Sequence, residues 1–115
     1  SLSENLKYLE EIDGYLLILR NRYLKSLEFL KNLKIIRGNY LYDEKFTILV
    51  HTNNKLRELW KINEEKKLAI LKGLVKFAEN PDLCYQEIEN FIQFSNTSTA
   101  SFEISFNSNG YKRLT

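Results

Sequence analysis

Leu27-Glu28-Phe29-Leu30-Lys31-Asn32-Leu33-Lys34-Ile35-Ile36-Arg37-Gly38 is the stretch whose reading decides how this chain folds. Its apolar residues Leu27, Leu30, Leu33 and Ile36 fall three apart, and Leu24 extends the series upstream. On an α-helix each step of three residues falls about 60° short of a turn, so four steps smear the stripe through roughly 240°. Such a helix has no coherent dry face. Short strands and turns can instead send these side chains into one interior, with glycine at the corners. The series also recurs: Leu6, Leu9, Ile12 and Gly14 return as Leu30, Leu33, Ile36 and Gly38, 24 positions on (38 − 14). A fixed period of that size marks stacked supersecondary units.

A second phrase marks the same repeat from another side. Asn21-x-x-Leu24-x-x-Leu27 is echoed by Asn53-x-x-Leu56-x-x-Leu59 and, in its first half, by Asn80-x-x-Leu83. An apolar stretch precedes each asparagine: Leu16-Leu17-Ile18-Leu19, then Ile48-Leu49-Val50, then Leu74-Val75 with Phe77. The intervals are 32 (53 − 21) and 27 (80 − 53), as coils of one plan with loops of varying length would give. A side-chain amide at such a corner can satisfy backbone N–H and C=O groups that the turn leaves unpaired. Asn21, Asn53 and Asn80 are therefore expected to be structural, and Gly14, Gly38 and Gly73 to be turn residues. Trp60 is expected to cover one edge of the core.

With 115 residues, 43% of them hydrophobic, and with 7 Phe and 7 Tyr, the chain reads as one folded domain rather than a disordered segment. Net charge is +2, with Lys and Glu interspersed; nucleic acid is not an expected partner, because its binders cluster their cations. No apolar run approaches the roughly 20 residues of a membrane span. His51 is the single histidine, and with Cys84 it falls short of the three or four ligands a zinc site needs. Phosphate-cradling loops, zinc-protease motifs and nucleophile elbows are absent. Glu10-Glu11 and Glu64-Glu65 lie among lysines and read as solvated charges. No catalytic residue, metal ligand or cofactor is expected. Cys84, the sole cysteine, is open to two readings: a buried thiol, or half of a disulfide.

At these motifs the chain resembles the receptor L domain, the module of insulin-receptor and epidermal-growth-factor-receptor ectodomains. The resembling text is Leu9-x-x-Ile12-x-Gly14-Tyr15-Leu16-x-Ile18, Leu27-x-Phe29-Leu30-x-Asn32-Leu33-x-x-Ile36-x-Gly38, Asn53-x-x-Leu56-x-x-Leu59-Trp60 and Ile70-x-x-Gly73-x-Val75-x-Phe77-x-x-Asn80-Pro81-x-Leu83-Cys84. The resemblance implies an α/β repeat solenoid: a right-handed β-helix of leucine-rich-repeat, L-domain-like type with a short capping helix. It also implies a disulfide at Cys84, whose partner would lie outside this sequence, and a further N-terminal coil that this chain lacks. The division expected is an L domain over 1–94 and a Ser/Thr-rich C-terminal tail over 95–115.

The run from Asn80 to Ile92 reads as a turn and a short helix, with Cys84, Ile88, Phe91 and Ile92 on one face. Ser95 to Ser101 reads as a mobile loop, and Asn96-Thr97-Ser98 fits the N-glycosylation acceptor pattern. If Leu16 and Ile18 point inward, Tyr15 and Leu17 point out. Arg37, Tyr40 and Tyr42, one coil later, are candidates for the same partner-binding surface. The function expected by analogy is a non-catalytic recognition module of an extracellular or cell-surface ectodomain. It would bind a polypeptide ligand or a partner receptor chain, and the whole protein could oligomerise. The rival readings are a structural or decoy ectodomain without its own ligand, and an intracellular leucine-rich-repeat adaptor.

Overall fold

Leucines three apart share an interior here because the backbone between them turns every three residues. Leu30 N–H donates to Leu27 O at 2.9 Å and Leu33 N–H to Leu30 O at 2.9 Å, around a 3-10 turn at Glu28–Leu30. With three residues per turn, side chains at i and i+3 eclipse. Leu27, Leu30, Leu33 and Ile36 are all buried. The echo Leu56, Leu59 and Ile62 is buried as well. It stacks on the first set through Leu27 N–H to Glu58 O, 2.9 Å, and Arg57 N–H to Lys25 O, 2.9 Å.

The structure, a computed structural model, describes residues 6–97, 101–105 and 107. Its strands are β1 (Glu11–Ile12), β2 (Leu16–Leu19), β3 (Ile35–Ile36), β4 (Phe46–His51), β5 (Leu68–Ile70), β6 (Leu74–Ala78), β7 (Ser95–Thr97) and β8 (Ser101–Ser105); helix α1 spans Tyr85–Gln93. Odd strands form one four-stranded sheet, β1-β3-β5-β7, and even strands the other, β2-β4-β6-β8. Every pairing is parallel. Parallel neighbours cannot be joined by a hairpin. Here the connection from one strand to the next in its sheet passes through a strand of the other sheet.

Alternation along each strand builds the core. In the even sheet, Leu16, Ile48, Val75 and Phe102 form one inward row, and Ile18, Val50, Phe77 and Ile104 the next. Ile12, Ile36 and Ile70 of the odd sheet join the same apolar cluster. Each fully buried aliphatic side chain contributes roughly 1.5–3 kcal/mol. The β2 end of the even sheet is less buried than its middle: every residue of β2 is half-buried, whereas Thr47 to Val50 of β4 are buried. An apolar cleft of ≈ 380 Å³ opens at that end, lined in part by Leu6, Leu9, Ile12, Leu16, Leu24 and Phe29.

The glycines stack at the corner between odd and even strands. Gly38 N–H donates to Gly14 O at 3.2 Å, so the 24-residue repeat is a direct contact. Gly73 has φ +93°, and a Cβ there would lie 2.9 Å from Thr47 Cβ and 3.2 Å from Thr47 N. Thr47 is the extra residue of a β-bulge between Phe46 and Ile48, and its side chain is buried.

One expectation fails. The stretch Ser95 to Ser101, read as a mobile loop, instead contributes β7 and the first residue of β8, and the two strands add one to each sheet. Phe102 and Ile104 supply two inward positions, enough to dock a strand although Ser101, Glu103 and Ser105 between them are polar. Residues 98–100, 106 and 108–115 lie outside the described set.

Candidate partner-binding face

The outer side of the even sheet follows from the same alternation. Since Leu16 and Ile18 pack on the core, Leu17 and Leu19 face out. Register then gives two outward rows: Leu17, Leu49, Lys76, Glu103 and Leu19, His51, Ala78, Ser105. The face is graded. Over β2 and β4 it is apolar and aromatic, where Tyr15 and Tyr42 meet edge-to-face with centroids 5.7 Å apart. Tyr15 is 40% exposed and Tyr42 36%. Leu19, Arg20, Tyr42, Leu49 and His51 surround a hollow of ≈ 200 Å³. Toward β8 the face becomes charged: Lys76 Nζ lies 3.0 Å from Glu103 Oε1. His51 Nδ1 lies 2.6 Å from Thr52 Oγ1, and its Nε2 is 3.6 Å from Glu79 Oε2. An exposed pair such as Lys76–Glu103 is worth at most about 1 kcal/mol, so its charges can be re-partnered cheaply.

The five residues expected to form a partner surface divide. Tyr15, Leu17 and Tyr42 come together on this face. Arg37 follows β3 in the odd sheet, where its Nη2 lies 2.6 Å from Glu11 Oε1. Tyr40 is 65% exposed and lies over Gly14, at the glycine corner. Four residues of the face escaped the sequence reading. Leu19 and Leu49 carry a signal, being in phase with Leu17 within apolar runs; Arg20 and His51 carry none.

The asparagines form a continuous ladder at the other corner. Asn21 N–H donates to Asn53 Oδ1 at 3.0 Å, Asn53 N–H to Asn80 Oδ1 at 3.1 Å, and Asn80 N–H to Asn107 Oδ1 at 3.1 Å. The Nδ2 of the last three rungs reaches back to a strand carbonyl: Asn53 to Ile18 at 2.9 Å, Asn80 to Val50 at 3.0 Å, Asn107 to Phe77 at 2.8 Å. Asn53 and Asn80 are fully buried. The fourth rung, Asn107, was not anticipated, although it repeats the interval of 27 (107 − 80).

A family model described as Receptor L domain matches residues 1–97. The chain belongs to that family. It is similar to the insulin receptor of Xenopus laevis, 36% identical over 84% of this chain and 7% of that protein. It is 38% identical to a putative insulin-like peptide receptor of Hydra vulgaris, over 99% of this chain and 8% of the relative. The epidermal growth factor receptor of Gallus gallus is 42% identical over 69% of this chain and 11% of its own length. The chain therefore spans about a tenth or less of these relatives.

In this L domain, α1 lays Ile88 and Phe91 on the core, with Phe91 edge-to-face against Trp60 at 4.9 Å and Phe77 at 5.6 Å. Trp60 is buried, and its Nε1–H finds no acceptor among the described residues. Cys84 is the N-cap residue of α1, half-buried and a free thiol. Among the described residues no three His, Cys, Asp or Glu side chains converge as metal ligands, and no helix is long and apolar enough to cross a membrane.

Proposed function

We propose that this L domain is a non-catalytic recognition module of an extracellular or cell-surface receptor, and that it binds a polypeptide ligand or a partner receptor chain across the outer face of the even sheet. The observation that carries the reading is the contiguous apolar and aromatic half of that face: Tyr15, Leu17, Leu19, Tyr42 and Leu49, with Arg20 beside it. Tyr and Arg around an aliphatic centre are the composition of binding hot spots. The relatives' names, receptors of insulin-like peptides and of epidermal growth factor, support a polypeptide as the occupant. The wound architecture is a right-handed β-helix of leucine-rich-repeat type; alternation of all-parallel strands between two sheets supports it. An extracellular setting gives Cys84 an oxidising environment, in which it forms a disulfide with a cysteine elsewhere in the polypeptide.

Surface-immobilised chain, titrated with insulin-like and growth-factor-like polypeptides, tests the face. Leu17→Asp is expected to weaken binding at least about tenfold, or ~1.4 kcal/mol, and Tyr42→Ala similarly. Lys66→Ala, off the face, is expected to leave it unchanged. A ligand bound equally by Leu17→Asp and the parent chain would place recognition elsewhere.

A further inference from the structure

Asn96 sits in the middle of β7, the terminal strand of the odd sheet, paired with Ala69. Its neighbour Ser95 donates its hydroxyl to Phe91 O at 2.7 Å and so faces α1. Alternation sends Asn96 to the other side, into the outward row Glu11, Ile35, Ala69, Asn96. It is exposed. The fold commits many of its other asparagines: Asn21, Asn53, Asn80 and Asn107 to the ladder, Asn32 to Lys7 O, Asn39 to Asp13. No such bond among the described residues holds the Asn96 amide. Asn96-Thr97-Ser98 is also the one Asn-x-Ser/Thr acceptor tripeptide in the chain; its Ser98 lies outside the described residues.

We propose that Asn96 carries an N-linked glycan, a modification that rests on the extracellular reading above. Asn96 Nδ2 attacks the anomeric carbon of a lipid-pyrophosphate-linked oligosaccharide. The N–C bond forms, the carbon–oxygen bond to pyrophosphate breaks with its electron pair leaving on the pyrophosphate, and Nδ2 releases one proton. The glycan projects from the odd sheet, so the face bearing Tyr15, Leu17 and Tyr42 on the even sheet stays open.

The test is the full chain behind an added cleavable secretion signal, expressed in eukaryotic cells and weighed before and after peptide N-glycosidase digestion in heavy-oxygen water. The parent chain is expected to lose glycan mass and gain the heavy-oxygen label at position 96. Asn96→Gln and Ser98→Ala are each expected to be secreted without that mass, and Ser98→Thr to retain it. Parent chain that is secreted, melts cooperatively and carries no glycan would overturn the proposal, as would label at another position. The added signal imposes the route, so this outcome is independent of ligand binding, whose failure is read separately with Leu17→Asp.

Discussion

The corners that follow the odd strands and those that follow the even strands turn the chain by opposite means. At the glycine corner the backbone bends because a side chain is missing: Gly38 and Gly73 have φ of +68° and +93°, and Leu41, Thr47 and Lys72 fill the space a Cβ would take. At the asparagine corner a side chain is added. The residue just before each of the first three rungs, Arg20, Thr52 and Glu79, is left-handed with φ of +49°, +60° and +56°, and none is glycine. A left-handed non-glycine residue costs about 1–2 kcal/mol. The cost is tolerated because each is fixed by backbone bonds of 3.0 Å, to His51 O, Ala78 O and Ser105 O, and by the buried amide that follows. Steric vacancy suffices where the turn is short and stacked on backbone. Hydrogen-bonding groups are needed where a turn leaves buried N–H and C=O unpaired.

Removing a rung should do most to break this contrast. Asn80→Leu leaves the buried Asn53 N–H without its acceptor and takes from Val50 C=O the bond donated by Asn80 Nδ2, a loss of roughly 3 kcal/mol. The melting point is expected to fall by about 10–20 °C. A fall no larger than that of an exposed substitution such as Lys66→Ala would deny the ladder its role. At the other corner, Gly73→Ala places a Cβ against Thr47 in a backbone that disfavours it; denaturant titration should show about 2 kcal/mol lost. The smallest effect sharpens the comparison by changing sign. Glu79→Gly relieves a left-handed residue and gives up only a weak contact to His51, so stability should rise by about 0.5–1 kcal/mol. A loss there would mean that the Glu79 side chain carries the corner.

The corners also explain what the sequence showed. Leucine every third residue with glycine after it excluded an α-helix, because at 3.6 residues per turn Leu24, Leu27, Leu30, Leu33 and Ile36 do not stay on one side. Asn21, Asn53 and Asn80 were visible because apolar strands precede them and leucine follows. Asn107 was hidden, since no Leu-x-x-Leu phrase follows it and β7 and β8 are built largely of Ser, Asn and Glu. Arg20, Thr52 and Glu79 share a backbone conformation and no chemistry, so their positions declare nothing. On the candidate face, Leu17 was legible from alternation. The meeting of Tyr15 with Tyr42 was not, because their separation of 27 (42 − 15) differs from the 24 of Gly14 and Gly38 and the 32 of Leu17 and Leu49. The turn through the left-handed residues Asp43 and Glu44 sets that contact.

Amide hydrogen exchange at the rungs tests the ladder most directly. The backbone N–H groups of Asn53 and Asn80 are expected to exchange as slowly as those of Ile48 and Val50 in β4, because each is held by the side-chain oxygen of the next rung. Exchange at these two positions as rapid as that of exposed turn amides, such as Glu44, would contradict it.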